Sequence, residues 1–518
     1  MARWAWGYLV AATVVLGAGQ GAAQTLELRM SDLMPSPVPG LLIAPNLELP
    51  EGEAPEAAST QPLGASLLNS YVAQGRSAGF AGLVYENRDR DHSTLPRERF
   101  PGLTFLTYAP ELKKGDWDYG LAGRVAIGLP LIGNSSTALT GGMTPRSQPR
   151  YAMTVEPGPE VAYFQYKSNS LYVYPEHRDH DDRDLFPANW PYCVISQGSS
   201  SSDKPFMDAL LMTLAAFSTE TRARLEEEGL IAPTLQMILR RNLEEVNRDA
   251  DYLTARAHPT VFDGNDIRPE RMIAQAAEMQ PGDIPPMVRL WVEKEDFASS
   301  AGLLGRGEQL FTTPSAIARI WRDFAWEREM VVDAGQTKDP NGRPLQFHWR
   351  VVRGEPGKVI IEPEDEEGRR ARIRIAWHDD YLVPGQRPGA TSSRLTSRVD
   401  IAVFADNGVS ISAPAFISVV FPTQQQRTYE ADEDGAMRLI SLDYDAESRG
   451  APYDPILFWS APWVDRFHYD SEGQLTGWTR DEGGENREFD ATGQPVSGES
   501  VSYRIADHEQ NKVVIGDD

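Results

Sequence analysis

Alternation and periodicity of apolar positions divide the chain into stretches of different character. Up to about residue 196, short apolar runs alternate with polar turns. Phe80-Ala81-Gly82-Leu83-Val84-Tyr85, Val125-Ala126-Ile127-Gly128-Leu129-Pro130, Ser170-Leu171-Tyr172-Val173-Tyr174 and Tyr192-Cys193-Val194-Ile195 read as strands. Tyr151-Ala152-Met153-Thr154-Val155 and Val161-Ala162-Tyr163-Phe164 share their aromatic and β-branched composition and are expected to be strands too. From Pro205 the spacing turns helical, with Phe206, Leu210, Leu214 and Phe217 on one face, then Leu235, Ile238, Leu239, Leu243 and Val246 on another. Ser218 is placed to cap a helix that Gly229 ends, and a further helix is expected around 268–279. After Pro285-Pro286, Met287-Val288-Arg289-Leu290-Trp291-Val292 reads as a strand. Beyond Leu345 come five alternating runs, around 347–351, 358–361, 371–375, 399–404 and 416–421, separated by Gly, Asp and Pro, the pattern of an antiparallel sandwich.

These patterns predict a mixed α/β main domain over 65–335, an all-β sandwich over 336–425 and a small β-rich tail over 426–518. Residues 24–64, with seven prolines from Pro35 to Pro62, are expected to form a linker or extended arm. The stretch 345–422, with Trp349 on an early strand and the turn Asp406-Asn407-Gly408, resembles the immunoglobulin-like and PKD-like modules of bacterial surface proteins. That resemblance implies a spacer, or a module that binds saccharide or protein surfaces. In the tail, Tyr469-Asp470 with Gly473 is echoed by Phe489-Asp490 with Gly493, and 467–496 resembles the YD repeats of bacterial extracellular wrapping proteins, whose units are hairpins. A short β-meander using the same turn residues fits equally, since Asp and Gly dominate turns.

Composition narrows the setting. The formal net charge of −25 excludes a long-range attraction to nucleic acid. Arg3, the apolar stretch 9–16 and Gly21-Ala22-Ala23 have the layout of a secretory leader over 1–23, so a secreted or periplasmic protein is expected. No later apolar stretch is long enough to span a bilayer. The single cysteine, Cys193, sits in a strand run and is expected to be a buried structural thiol.

The candidate chemistry centres on 187–217, where a strand gives way to Gly198-Ser199-Ser200-Ser201-Ser202-Asp203 and then a helix. Such a junction offers unpaired N–H groups and hydroxyls to an anion, so Gly198, Ser200, Ser201 and Ser202 are candidate binding residues, with Trp190 beside them. The same turn would serve a hydrolase if Ser199 were the nucleophile, His258 its base and Asp263 the orienting carboxylate. The sequence there is not the G-x-S-x-G elbow, however, and Lys204 does not complete a P-loop. Within 176–184, His177, His180 and Asp181 are candidate metal ligands, although Arg178 and Arg183 can neutralise the neighbouring carboxylates instead. No cofactor is expected. The leading expectation is a protein that binds a surface polymer or small anionic ligand through its α/β domain. A serine-type hydrolase and a structural surface protein without a ligand site remain as alternatives, so the question of an enzyme stays open.

Overall fold

The computed structural model describes residues 23–49, 63–90, 92–121, 124–139, 147–383, 393–446, 457–507 and 512–516. The expected leader, apart from Ala23, therefore lies outside the described residues. The first part of the chain is built on a parallel sheet of six strands: β1 (Gln24–Leu28), β2 (Val84–Asn87), β3 (Thr104–Tyr108), β4 (Leu131–Asn134), β5 (Ser170–Pro175) and β6 (Cys193–Ser196). Their order is β1-β3-β2-β4-β5-β6, and every neighbouring pair is parallel. All six residues of β5 and all four of β4 and of β6 are buried, the expected state of a parallel sheet covered on both faces.

Among the described residues, six helices of ten or more residues accompany the sheet: α1 (Leu63–Ala73), α2 (Gly158–Lys167), α3 (Lys204–Ala216), α4 (Thr219–Glu228), α5 (Ile231–Arg241) and α6 (Pro269–Glu278). Helices α1, α3 and α6 pack on one another, α3 also against β4, while α2 and α5 pack against β5. The strands expected over 151–155 and 161–164 are helical instead. Arg150–Thr154 forms a short helix, and in α2 Pro159 occupies the first turn while Val161, Ala162, Gln165 and Tyr166 are buried at helical spacing. The proline-rich stretch also departs from a simple linker, since β1 pairs with β3 in register from Gln24 with Thr104 to Leu28 with Tyr108.

The C-terminal part consists of several sheets that are mostly antiparallel. A four-stranded sheet runs in the order Trp291–Glu295, Glu327–Asp333, Arg370–Ala376, Val359–Pro363. A five-stranded sheet runs Gln309–Thr313, Ala316–Ile320, Ala415–Val420, Arg398–Asp406, Gln346–Arg353, and its second and third strands are parallel. Four of these nine strands precede residue 336, so the C-terminal sheets begin near 291. Ile317, Ile401, Val403, Ile417 and Val419 share one core with Met330, Val332, Ile373 and Ile375 of the facing sheet. Alternate residues of the same strands, Ala316, Ala318, Ala402, Phe404 and Phe416, belong to the core of the α/β part. The five-stranded sheet is thus buried on both faces, which explains the unbroken burial of Ala316–Ile320 and Ala415–Val420.

The tail is a meander of five strands over 426–490, in sequential order. The two turns noted in the sequence are built alike. Asp470 Oδ1 accepts from the backbone of Glu472 and Gln474, Asp490 Oδ1 accepts from Thr492 and Gln494, and Gly473 and Gly493 have φ of 72° and 88°. A third copy stands at Asp432, whose Oδ1 accepts from Asp434 and Ala436 while Gly435 has φ of 83°. Among the described residues, no helix is long and apolar enough to cross a membrane.

Candidate functional site at the C-terminal rim of the parallel sheet

The chain leaves β2 toward β3 on one side of the sheet and leaves β4 toward β5 on the other. Where two such connections diverge, the loops part and open a crevice beyond the strand ends, the usual ligand position in open parallel sheets. Here that switch point falls between Asn87 and Asn134, the last residues of β2 and β4.

The residues around it are polar and buried. Glu86 accepts hydrogen bonds from the phenols of Tyr108 and Tyr172. Arg88 Nε stands 2.9 Å from Glu86 Oε1, without the alignment of a hydrogen bond, and both side chains are fully buried. Arg88 also donates to Val125 O at 2.6 Å. Gly133 makes this possible, because a Cβ there would collide with the Tyr172 ring. Burial first, and the charge of Glu86 with it, holds the Tyr108 and Tyr172 hydroxyls protonated well above their ordinary range. Such a buried network fixes the residues that follow it.

Those residues build the rim. Asp89 accepts from the backbone N–H of Ser136 at 3.0 Å and from the Ser136 hydroxyl, and its Oδ2 lies 3.5 Å from His92 Nδ1. Tyr85 donates its hydroxyl to Asn134 Oδ1 and Asn134 Nδ2 donates to Asp203 Oδ2, each at 2.8 Å. Asp203 is the residue before α3, yet it makes no capping bond to that helix, and burial raises its carboxyl above the ordinary range. The serine-rich turn is tied to the same rim. Ser201 N donates to Ser93 Oγ at 2.8 Å, the Ser196 and Ser202 hydroxyls are 2.8 Å apart, and Glu176 accepts from Gly198 N at 3.0 Å and His180 N at 3.2 Å.

Backbone conformation marks the same rim. Seven non-glycine residues among those described have positive φ, and six of them (Arg90, Ser93, Asp116, His177, Arg178 and Ser201) stand in loops that leave the C-terminal ends of these strands. Conformations of this kind cost of order 1–3 kcal/mol each and collect where function requires them.

Beside this switch point, a cleft of about 550 Å³ opens over β2 and β3. Tyr85, Asn87, Phe105 and Thr107 line it from one face of the two strands, where Tyr85 pairs with Phe105. Around them stand Arg90, Arg97, Lys113 and Lys114, against the carboxylate of Asp118. Arg90 pairs with Asp116, and Arg97 lies 4.3 Å over the Phe105 ring while donating to Thr25 Oγ1 at 2.9 Å. Lys113 and Lys114 are exposed and in no ion pair among the described residues. Asp118 is 7% exposed, its Oδ1 has no hydrogen-bond partner, and burial raises its carboxyl.

The residues singled out in the sequence fall partly elsewhere. Gly198, Ser201 and Ser202 belong to the rim, but their N–H groups and hydroxyls are largely spent on Glu176, Ser93 and Ser196, while Ser199 and Ser200 are exposed. His258 is not brought to them. Phe262, four residues later, pairs beside Ser196, and the His258 ring packs on Tyr252, Phe404 and Phe416 with Nε2 against Tyr252 O. Burial holds it neutral, well below the usual histidine range. Asp263 Oδ1 accepts from Asn265, so the expected triad of Ser199, His258 and Asp263 does not form. Trp190 is 2% exposed and packs on Tyr192 and Phe311, which makes it core and not a binding surface. Cys193 is buried, its thiol pushed up to about 12 by that burial.

The proposed metal ligands also separate. His180 accepts from Arg394 Nη1 at 2.8 Å and faces Asp184 at 3.6 Å, Asp181 is exposed, and the His177 ring does not join them. Among the described residues no three His, Cys, Asp or Glu side chains are grouped to hold a metal ion. The rim residues of 86–93 carry no recognisable motif in the sequence, although the stretch Glu86-Asn87-Arg88-Asp89-Arg90-Asp91-His92-Ser93 is densely polar. The available signal was its position, directly after a buried strand.

No family model matches the chain, and no curated protein does. Among solved structures, it is similar to a nucleoside hydrolase-related hypothetical protein from Saccharophagus degradans that is associated with carbohydrate metabolism, at 10% identity and TM-score 0.19 over 61% of this chain and 66% of that one. The chain thus spans just under two thirds of that protein. It is also similar to the N-terminal Ig1-2 module of the Drosophila receptor protein tyrosine phosphatase DLAR, at 8% identity and TM-score 0.13 over 39% of this chain and 95% of the module.

Proposed function

We propose that the α/β domain binds a small anionic ligand, or an acidic part of a cell-envelope or extracellular polymer, in the cleft over β2 and β3. The observation that carries this reading is a local reversal of charge. In a chain of net charge −25, the cleft is lined by four cations and one carboxylate, beside the point where the sheet connections diverge. This reading puts the anion in the neighbouring cleft and not at the serine-rich turn, where the donors of Gly198, Ser201 and Ser202 are committed within the fold. In this reading the protein is secreted or periplasmic, as the leader-like 1–23 suggests, and its C-terminal modules are accessories. An immunoglobulin-like character for the sheets after 345 is supported by buried Trp349, and a YD-like character for the tail by its three matching turns.

Titration calorimetry with inorganic phosphate and with citrate, on the full chain at low ionic strength, tests the proposal. Saturable binding that weakens with added salt is expected. The double substitution Lys113→Ala, Lys114→Ala should weaken it about tenfold, or ~1.4 kcal/mol, with an unchanged melting temperature. Binding that is indifferent to the double substitution would overturn the assignment.

A further inference from the structure

The cleft holds more than positive charge. Asp118 lines it as a buried carboxylate with Oδ1 unpartnered, a costly state for an acceptor enclosed by protein. Oδ1 itself is closed off from the cleft, so a ligand meets what remains exposed of the carboxylate, and there it must bring a donor. An ammonium group would have to sit among Arg90, Arg97, Lys113 and Lys114, so the charge balance favours a neutral hydroxyl. Thr94, also on the lining, accepts from Asn87 Nδ2 at 2.8 Å, which leaves its own O–H able to donate to a ligand oxygen. The lining therefore offers cations to an acid group together with an acceptor and a donor for hydroxyls, in a space of about 550 Å³ that suits a small ligand.

Building on the anion-binding reading above, we infer that the ligand is an acidic saccharide unit, whose carboxylate or phosphate meets Lys113 and Lys114 while a ring hydroxyl donates to Asp118 and another accepts from Thr94. The acid group and the hydroxyls are both required. Neither a simple anion nor a neutral sugar satisfies both kinds of lining group.

Calorimetric titration of the full chain with D-glucuronate, glucose 6-phosphate, acetate, inorganic phosphate and D-glucose separates these. At least one acidic sugar is expected to bind tenfold or more tighter than its matching simple anion, and D-glucose not measurably. Which acidic sugar shows the gain tells a uronate from a sugar phosphate. Asp118→Asn should abolish that gain, while acetate and phosphate, no longer facing a carboxylate, should bind no more weakly than before. Thr94→Val, at an exposed position, should reduce it about threefold and serves if the Asp118 variant does not fold. Simple anions binding as tightly as the acidic sugars, or a gain that survives both substitutions, overturns the saccharide inference and leaves the anion reading standing. Absence of binding by every anion removes both.

Discussion

Burial without full compensation recurs at single residues of the α/β domain, and Asp208 gives it a measurable consequence. This carboxylate on α3 lies 2.6 Å from Arg99 Nη1, but burial outweighs the charges of Arg99 and Lys204 and pushes its pKa up to about 6. An unfolded aspartate titrates near ~3.9. Between those values the folded chain keeps a proton that the unfolded chain releases, so this group's contribution is fully present below about pH 4 and is lost as pH rises through about 6. Asp208→Asn cannot titrate. Its stability relative to the parent should therefore rise from pH 4 to pH 7, as read from urea midpoints at four pH values, whereas a constant offset would show that Asp208 does not titrate there. At this scale the sequence was legible where a residue's fate is set by its own chemistry. Cys193 in an apolar run is buried, as its neighbours suggested. Ser199, His258 and Asp263 were misleading because their types suit catalysis, while their meeting depends on long-range packing that places His258 against Phe404 and Phe416.

Helix ends were the most legible elements, because their determinants are local. Ser218 Oγ accepts from Thr221 N at 3.1 Å at the start of α4, and Gly229, with φ of 67°, closes the helix by donating to Glu226 O. Ser218→Ala removes the cap and should cost about 1 kcal/mol in denaturant unfolding, while Ser218→Asp should retain most of the stability. Equal losses in the two variants would point to packing and not to the cap. Elements whose identity depends on partners were less legible. The aromatic residues of 151–164 satisfy strand propensity in isolation, but they fall in the short helix Arg150–Thr154 and in α2, which packs against β5. The parallel pairing of Ala316–Ile320 with Ala415–Val420 joins segments about a hundred residues apart, which no local pattern encodes. Even the third tail turn was hidden, since the residues around Asp432 share only Asp and Gly with the other two.

At the scale of the molecule, the α/β part and the C-terminal sheets share the five-stranded sheet, and the acidic loop read as a metal site reinforces that joint. Asp184, fully buried, accepts from Arg398 and Arg353 on strands of the five-stranded sheet, and Arg398 also reaches Asp400 at 2.8 Å and donates to Phe186 O. Burial alone would raise the Asp184 carboxyl, but Arg398 and Arg353 hold it well below the usual carboxylate range. Its contribution is therefore present above about pH 4 and lost as the pH falls through its lowered folded value. With one sheet buried on both faces, the two parts should unfold in a single calorimetric transition. Asp184→Asn leaves Arg353 and Arg398 facing a neutral amide where a carboxylate stood. Breaking a buried pair in this way costs about 3–5 kcal/mol, toward the lower end here because Arg398 keeps Asp400. The melting temperature of the variant should fall clearly at pH 7, and the gap to the parent should narrow in strong acid as Asp184 itself becomes protonated. An unchanged melting temperature at pH 7 would mean that the apolar sheet face alone holds the two parts together.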